Sequence, residues 1–265
     1  MIKPATCSFL TASLLLLQLS ASAQSAPVVP PTTCLRVVYQ LEYKYDSAVT
    51  TPKRVRMTLR VSNGSSQFRS TGMQLMDSTY ASLAGAAEME RMQKAMQATR
   101  KGGKNEFQYT VLKEPAKNLV SYHAGINSED FQYVEKPPLF TWRITPVKRT
   151  IAGHECQQAY AAFGGRLWEA WFARDGPYKF YGLPGLILQV RDTHDNYVFS
   201  VLCLDTNPQP FDVTVVTGAP FEAKSSDSVI PKAKFRQAKL NDDFMFMERM
   251  LASGNKVPEN MQQIL

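Results

Sequence analysis

The chain has 265 residues, a length that suits one sizeable domain, and carries 30 basic against 23 acidic residues for a formal charge of +7. The basic excess is modest and dispersed, as at Arg54, Arg56, Arg60, Lys148 and Arg149. It lacks the Lys/Arg clusters that phosphate recognition favours, which excludes nucleic acid as an expected partner.

Lys3, an apolar run over 9–19 and Ala21-Ser22-Ala23 make the three parts of a secretory signal peptide over 1–23, and the apolar part is too short to span a bilayer. An uncleaved anchor is the alternative. Cys7 precedes the apolar run, so it is not placed to become a lipidated first residue. Cleavage after Ala23 would remove Lys3 and leave +6, with no membrane span in the mature chain. Residues 24–33, proline-rich from 27, read as a flexible tether, and 34–265 as a single domain with no internal repeat.

Residues 35–45 alternate apolar and polar side chains, which predicts a long half-buried strand, and 54–61 alternate likewise to give its partner. Asn63-Gly64 supplies a hairpin turn into a strand over 67–71. The β pattern then breaks. Ser78 as a cap, Glu90 and Lys94 at i,i+4, frequent Ala and Met, and a Gly102-Gly103 stop predict one long helix over 78–101. Its stripe of Ala86, Met89, Met92 and Met96 is expected to lie against the sheet. Strands follow at 107–112, 118–123, 131–134, 139–144, 147–152 and 156–163, a late one at 211–215, and a last helix from Asn241 to a Gly254 stop. The expected fold is α+β and mostly antiparallel β: a curved meander sheet resembling the LolA-like half-barrel, with one long inserted helix and a C-terminal helix.

The densest stretch lies at 165–205. Residues 167–172 alternate with aromatics on both faces, which predicts a central strand. Gly176-Pro177 and Gly182-Leu183-Pro184-Gly185 form the link, Pro184 presetting φ and Gly185 supplying the positive φ of a type II turn. A buried-type strand over 186–190 and a hairpin through 193–196 complete it. Together with Gly165-Arg166, Phe140, Trp142, Ile151, Gly153, Cys156 and Ala159, the string 176–187 resembles the signature of the GLPGLI family of secreted bacterial proteins, the likeness spanning about 140–204. The chain departs from that family at 172–175, where the family has a longer Trp-Tyr loop. The resemblance implies export to the periplasm or beyond, and the company of a TonB-dependent outer-membrane receptor, and it implies no activity.

Three cysteines remain after export. Cys156 with Cys203 is the expected disulfide, the alternative being three buried thiols. Soft-ligand chemistry offers copper at Met89, Met92 and Met96, or a metal between His154 and Cys156, against methionine as core filler and a turn histidine beside a structural cysteine. No nucleophile elbow, HExxH, Walker loop or dinucleotide fingerprint is present. No catalytic residue and no cofactor are therefore expected. The aromatics Trp142, Trp168, Trp171, Tyr178, Phe180 and Tyr181 exceed what two strand faces need, and either line an apolar groove or pack a core. The leading expectation is a noncatalytic envelope binding or accessory protein, the alternatives a copper-handling protein or a hydrolase with an unmarked site.

Overall fold

The computed structural model describes residues 34–44, 50–102, 107–126, 129–175, 182–208, 213 and 228–254. Its organising strand is β1 (Cys34–Tyr43), where the alternation buries Leu35, Val37, Tyr39, Leu41 and Tyr43. β2 (Lys53–Ser62) pairs along it from Cys34↔Ser62 to Tyr43↔Lys53. Asn63 and Gly64 both take positive φ, 50° and 79°, as the expected hairpin turn requires. β3 (Ser65–Ser70), β4 (Tyr109–Glu114), β5 (Leu119–Ile126) and β6 (Glu129–Glu135) continue the meander outward.

A second meander is built from β7 (Arg143–Ile151), β8 (His154–Phe163), β9 (Arg166–Ala173), β10 (Leu186–Asp192) and β11 (Tyr197–Asp205). β11 pairs with the other side of β1, from Arg36↔Asp205 to Tyr43↔Tyr197. The first described strand thereby becomes the seam of the sheet, paired at both edges. A short β12 (Ser228–Val229) adds parallel to β6. Among the described residues this gives one curved, unclosed sheet of twelve strands with three helices, the expected α+β class with a curved meander. Residues 32–265 form one compact unit. Among the described residues no helix is long and apolar enough to cross a membrane.

Several elements differ from expectation. The inserted helix is two, α1 (Thr71–Ser82) and α2 (Glu88–Lys101). Ser70 caps the first, its hydroxyl accepting from Met73 N at 3.3 Å, so the helix starts well before Ser78 and ends the strand expected to reach residue 71. The break falls around Gly85, a residue that costs a helix interior about 1 kcal/mol relative to alanine. Arg91 then holds the two helices together, donating to Tyr80 O at 3.3 Å with its guanidinium 3.7 Å from the Tyr80 ring centroid. Gly102 ends α2, but a Cβ there would stand 2.5 Å from the Gly72 backbone, so the glycine also lets the helices touch. α2 packs on α1, and its buried position is Ala95. The methionine stripe does not face the sheet: Met89 is 67% and Met96 52% exposed.

The strands expected at 139–144 and 147–152 are one element, β7, whose register shifts between Ile144 and Lys148 around Pro146. A proline without a donor is tolerated there because β7 is a terminal strand of the sheet. The last helix, α3 (Lys232–Ala252), begins directly after Pro231 rather than at Asn241. Asp242 and Asp243 lie mid-helix, where Lys239 reaches them at 3.6 and 2.9 Å. Of the expected strand at 211–215 only Val213 is described: it is a buried bend whose carbonyl accepts from Gln67 Nε2 at 3.2 Å.

α1 lies on the sheet face opposite the one described below, and the layer beneath it is polar. Thr58 and Thr71 hydroxyls meet at 2.8 Å, and Arg69, 2% exposed, pairs with Asp77 of α1.

Candidate functional site

β9, the link and β10 carry the corner that the sequence marks out, and its conformation differs from expectation. Positive φ belongs to Gly182 (87°), not to Gly185, so Pro184-Gly185 is not the centre of a type II turn. Gly185 is required for a different reason: a Cβ on it would sit 1.8 Å from the Ala173 carbonyl oxygen at the end of β9. Leu183 is buried with Ala159, Ala170 and Phe172, and Trp142, Ile187 and Val190 pack on that cluster. The indole of Trp142, from the segment before β7, also covers Gly182, 3.7 Å from where its Cβ would be. Gly176, Pro177, Tyr178, Phe180 and Tyr181 lie outside the described residues.

Above this corner the inner face of the sheet forms a groove of about 240 Å³. Tyr39, Leu59, Phe68 and Val111 line it from β1 to β4, and Ala161, Trp168, Ile187, Val190 and Phe199 from β8 to β11. Phe140, Trp142 and Phe163 complete the lining and pack on one another, the Phe140 ring 5.3 Å from Trp142 and 5.0 Å from Phe163 between centroids. β4 and β8 stand seven places apart in the strand order, a distance of about 34 Å in a flat sheet at ~4.8 Å per strand. That both line one groove measures how far the sheet curls.

The polar ends of the lining are occupied within the protein. Tyr39 donates its hydroxyl to Ile187 O at 2.7 Å, and burial pushes its phenol pKa well up. Trp168 Nε1 donates to Phe163 O at 3.0 Å. What remains towards the groove is ring and alkyl carbon.

Trp171 does not belong to the groove. Three residues from Trp168 on one strand, it faces the other side. Arg149 stacks on it at 3.9 Å, and its Nε1 donates to Glu169 Oε1 at 3.1 Å. Glu169 also accepts from Gln158 at 2.7 Å and from Arg191 at 2.6 Å. Burial pushes the Glu169 carboxyl up, but hydrogen bonds from Gln158, Arg191 and Trp171 and the Arg191 charge more than offset it, holding the group below the usual range. This network locks the outer face of β8, β9 and β10.

The ionisable groups weighed for chemistry do not assemble. His154 Nδ1 lies 2.7 Å from Asp175 Oδ2, and that hydrogen bond keeps the Asp175 carboxyl low. The Cys156 thiol donates to the His154 carbonyl oxygen at 3.5 Å instead of meeting the imidazole. It is fully buried, which pushes its pKa up and leaves it a poor nucleophile. His123 bonds Ser121 at 2.8 Å and His194 is exposed in the hairpin between β10 and β11. Among the described residues no three His, Cys, Asp or Glu converge as metal ligands. Met89, Met92 and Met96 sit on α2, stacked through α1 on β2 and β3, whereas His154 and Cys156 belong to β8.

The Cys156–Cys203 disulfide is not formed. Both thiols are free, and β9 and β10 separate β8 from β11, so the strands expected to be neighbours are not. Cys34 and Cys156 are buried and Cys203 is exposed. Among these three, native alkylation is expected to modify Cys203 alone, and Cys203→Ser to abolish it; rapid labelling of Cys156 by peptide mapping would contradict the burial of β8.

Tyr39, Phe68, Val111, Phe163 and Phe199 are lining residues that the sequence reading did not single out. Period-two alternation puts Tyr39, Phe68 and Phe199 on buried faces, and that signal could have found them had the strand order been known.

No protein-family model matches the sequence. No curated protein matches it either. Two solved structures of PNGF-II, in space groups C2 and P21, are similar in fold, with 11% identity each and TM-scores of 0.53 and 0.52. They cover 80% of this chain, while the chain spans only 33% and 34% of theirs, about a third of each.

Proposed function

We propose that this protein is an exported, noncatalytic binding or accessory protein of the bacterial cell envelope that shelters an apolar ligand in the aromatic groove. One observation carries the reading: a groove of about 240 Å³, walled by aromatic and aliphatic side chains, whose Tyr39 and Trp168 polar ends are already bonded internally. Such a surface rewards carbon and penalises a polar guest, because each buried unpaired donor or acceptor costs about 1–3 kcal/mol. The signal-peptide pattern at 1–23 supports export, and the likeness of 140–204 to GLPGLI proteins supports an envelope setting beside a TonB-dependent receptor.

Titration with an apolar fluorophore such as 1-anilinonaphthalene tests the reading. The protein is expected to bind it with quenching of tryptophan emission, and Trp168→Ala to weaken binding about tenfold, roughly 1.4 kcal/mol. Trp171→Phe, on the outer face, is expected to leave the affinity unchanged. Equal losses from both variants, or no binding, would sink the groove as the site.

A further inference from the structure

An arginine stands beside the groove, and it narrows the ligand class. Successive residues of β9 alternate between faces, so Arg166 stands on the same face as Trp168, one pleat (about 7 Å) further out. Contacts confirm the adjacency: the Arg166 guanidinium lies 4.9 Å over the Tyr197 ring, whose centroid is 6.5 Å from that of Trp168. Arg166 Nη1 donates to Asp192 Oδ2 at 2.6 Å, and the arginine side chain is 40% exposed. Asp192 is not the partner of this arginine alone, because its Oδ1 also accepts from the backbone N–H groups of Asn196 and Tyr197 at 2.7 and 3.1 Å. The guanidinium carries five donors, and with the side chain 40% exposed the bond from Nη1 to Asp192 does not close it off from a second acceptor.

Resting on the reading of the groove as an apolar ligand site, we infer that its ligand is a single-chain acyl anion: an alkyl tail lies between Phe68, Phe199, Trp168 and Trp142, and a carboxylate meets Arg166 at the mouth. Two features select this class. A sugar, base or peptide would bury hydrogen-bonding groups against a wall that offers none, whereas methylenes bury nothing polar. At about 240 Å³ the groove lies just below the roughly 300–1,000 Å³ of pockets for drug-sized ligands, which favours one medium-length chain over two side by side.

Isothermal titration of the full chain with hexanoate, octanoate, decanoate, dodecanoate and 1-decanol, each below its micelle concentration, tests this. Affinity is expected to rise about fourfold per methylene and to level off near decanoate, where the cavity is filled. Decanoate should bind more tightly than 1-decanol, and Arg166→Gln should weaken decanoate about tenfold while leaving 1-decanol unchanged. The decanol measurement also reports whether the variant keeps its groove. Equal binding of decanoate and 1-decanol to the native protein would overturn the anionic anchor and leave the groove standing. Failure of all five to bind would overturn the groove reading itself.

Discussion

Gly185→Ala is expected to cost about 3 kcal/mol or more, read as the shift in urea midpoint, and to leave much of the chain unfolded at 37 °C. The methyl would enter space already held by the Ala173 carbonyl at 1.8 and 2.7 Å from its oxygen and carbon. Both are backbone atoms at the end of β9, so no rotamer change relieves the clash. β9 and β10 would have to part at the Leu186↔Ala173 pair, opening the cluster of Ala159, Ala170, Phe172 and Leu183 beneath the groove. Gly85→Ala is the control. Its Cβ would meet nothing within 4 Å, and a change within about 0.5 kcal/mol is expected. A native midpoint for Gly185→Ala would mean that the corner is not what fixes the groove floor.

Asp77→Ala is expected to be nearly as damaging for an electrostatic reason. Arg69 is 2% exposed, and its Nε and Nη2 have no hydrogen-bond partner among the described residues. Its charge is therefore compensated chiefly by Asp77, and removing that carboxylate strands a cation between α1 and the sheet. Breaking such a pair from one side costs about 3–5 kcal/mol; since Asp77 keeps some contact with water, the lower end applies. Replacing both partners with apolar residues, Arg69→Met with Asp77→Leu, is expected to recover most of the loss, because no unpaired charge is left behind. If the double variant is as unstable as the single one, shape rather than charge governs how α1 seats. Thermal melts of the three chains decide between them.

Much of the scaffold was legible because the sheet face obeys a local rule. The alternation at Val37, Tyr39 and Leu41, the Asn63-Gly64 turn and the hairpin over 193–196 follow from side-chain period and turn chemistry, which need no knowledge of the rest of the chain. What was not legible depends on contacts distant in sequence. Local turn chemistry puts the positive φ at Gly185; it falls at Gly182, and Gly185 is held to glycine by the Ala173 carbonyl across the strand pair, a contact invisible in the local sequence. Ala- and Met-rich sequence signals helix on both sides of Gly85 without saying that the chain folds back there. The disulfide failed on strand order, since two intervening strands separate Cys156 from Cys203. Of the three tryptophans expected at the site, Trp142 and Trp168 line the groove. Trp171, expected beside them, stands three residues from Trp168 on one strand, and that odd spacing turns it to the opposite face.

The terminal strands bear on how the molecule behaves in company. A sheet that curls without closing keeps two borders, and an unpaired strand edge there is a template on which a second molecule can dock strand to strand. At one border Pro146 removes a donor, the register shift spoils the spacing, and Lys148 adds an exposed charge; at the other, the described β12 is two residues long. Both borders of the described sheet thus offer little regular edge to a second copy, a protection that a sealed barrel gains only by closing over its inner face.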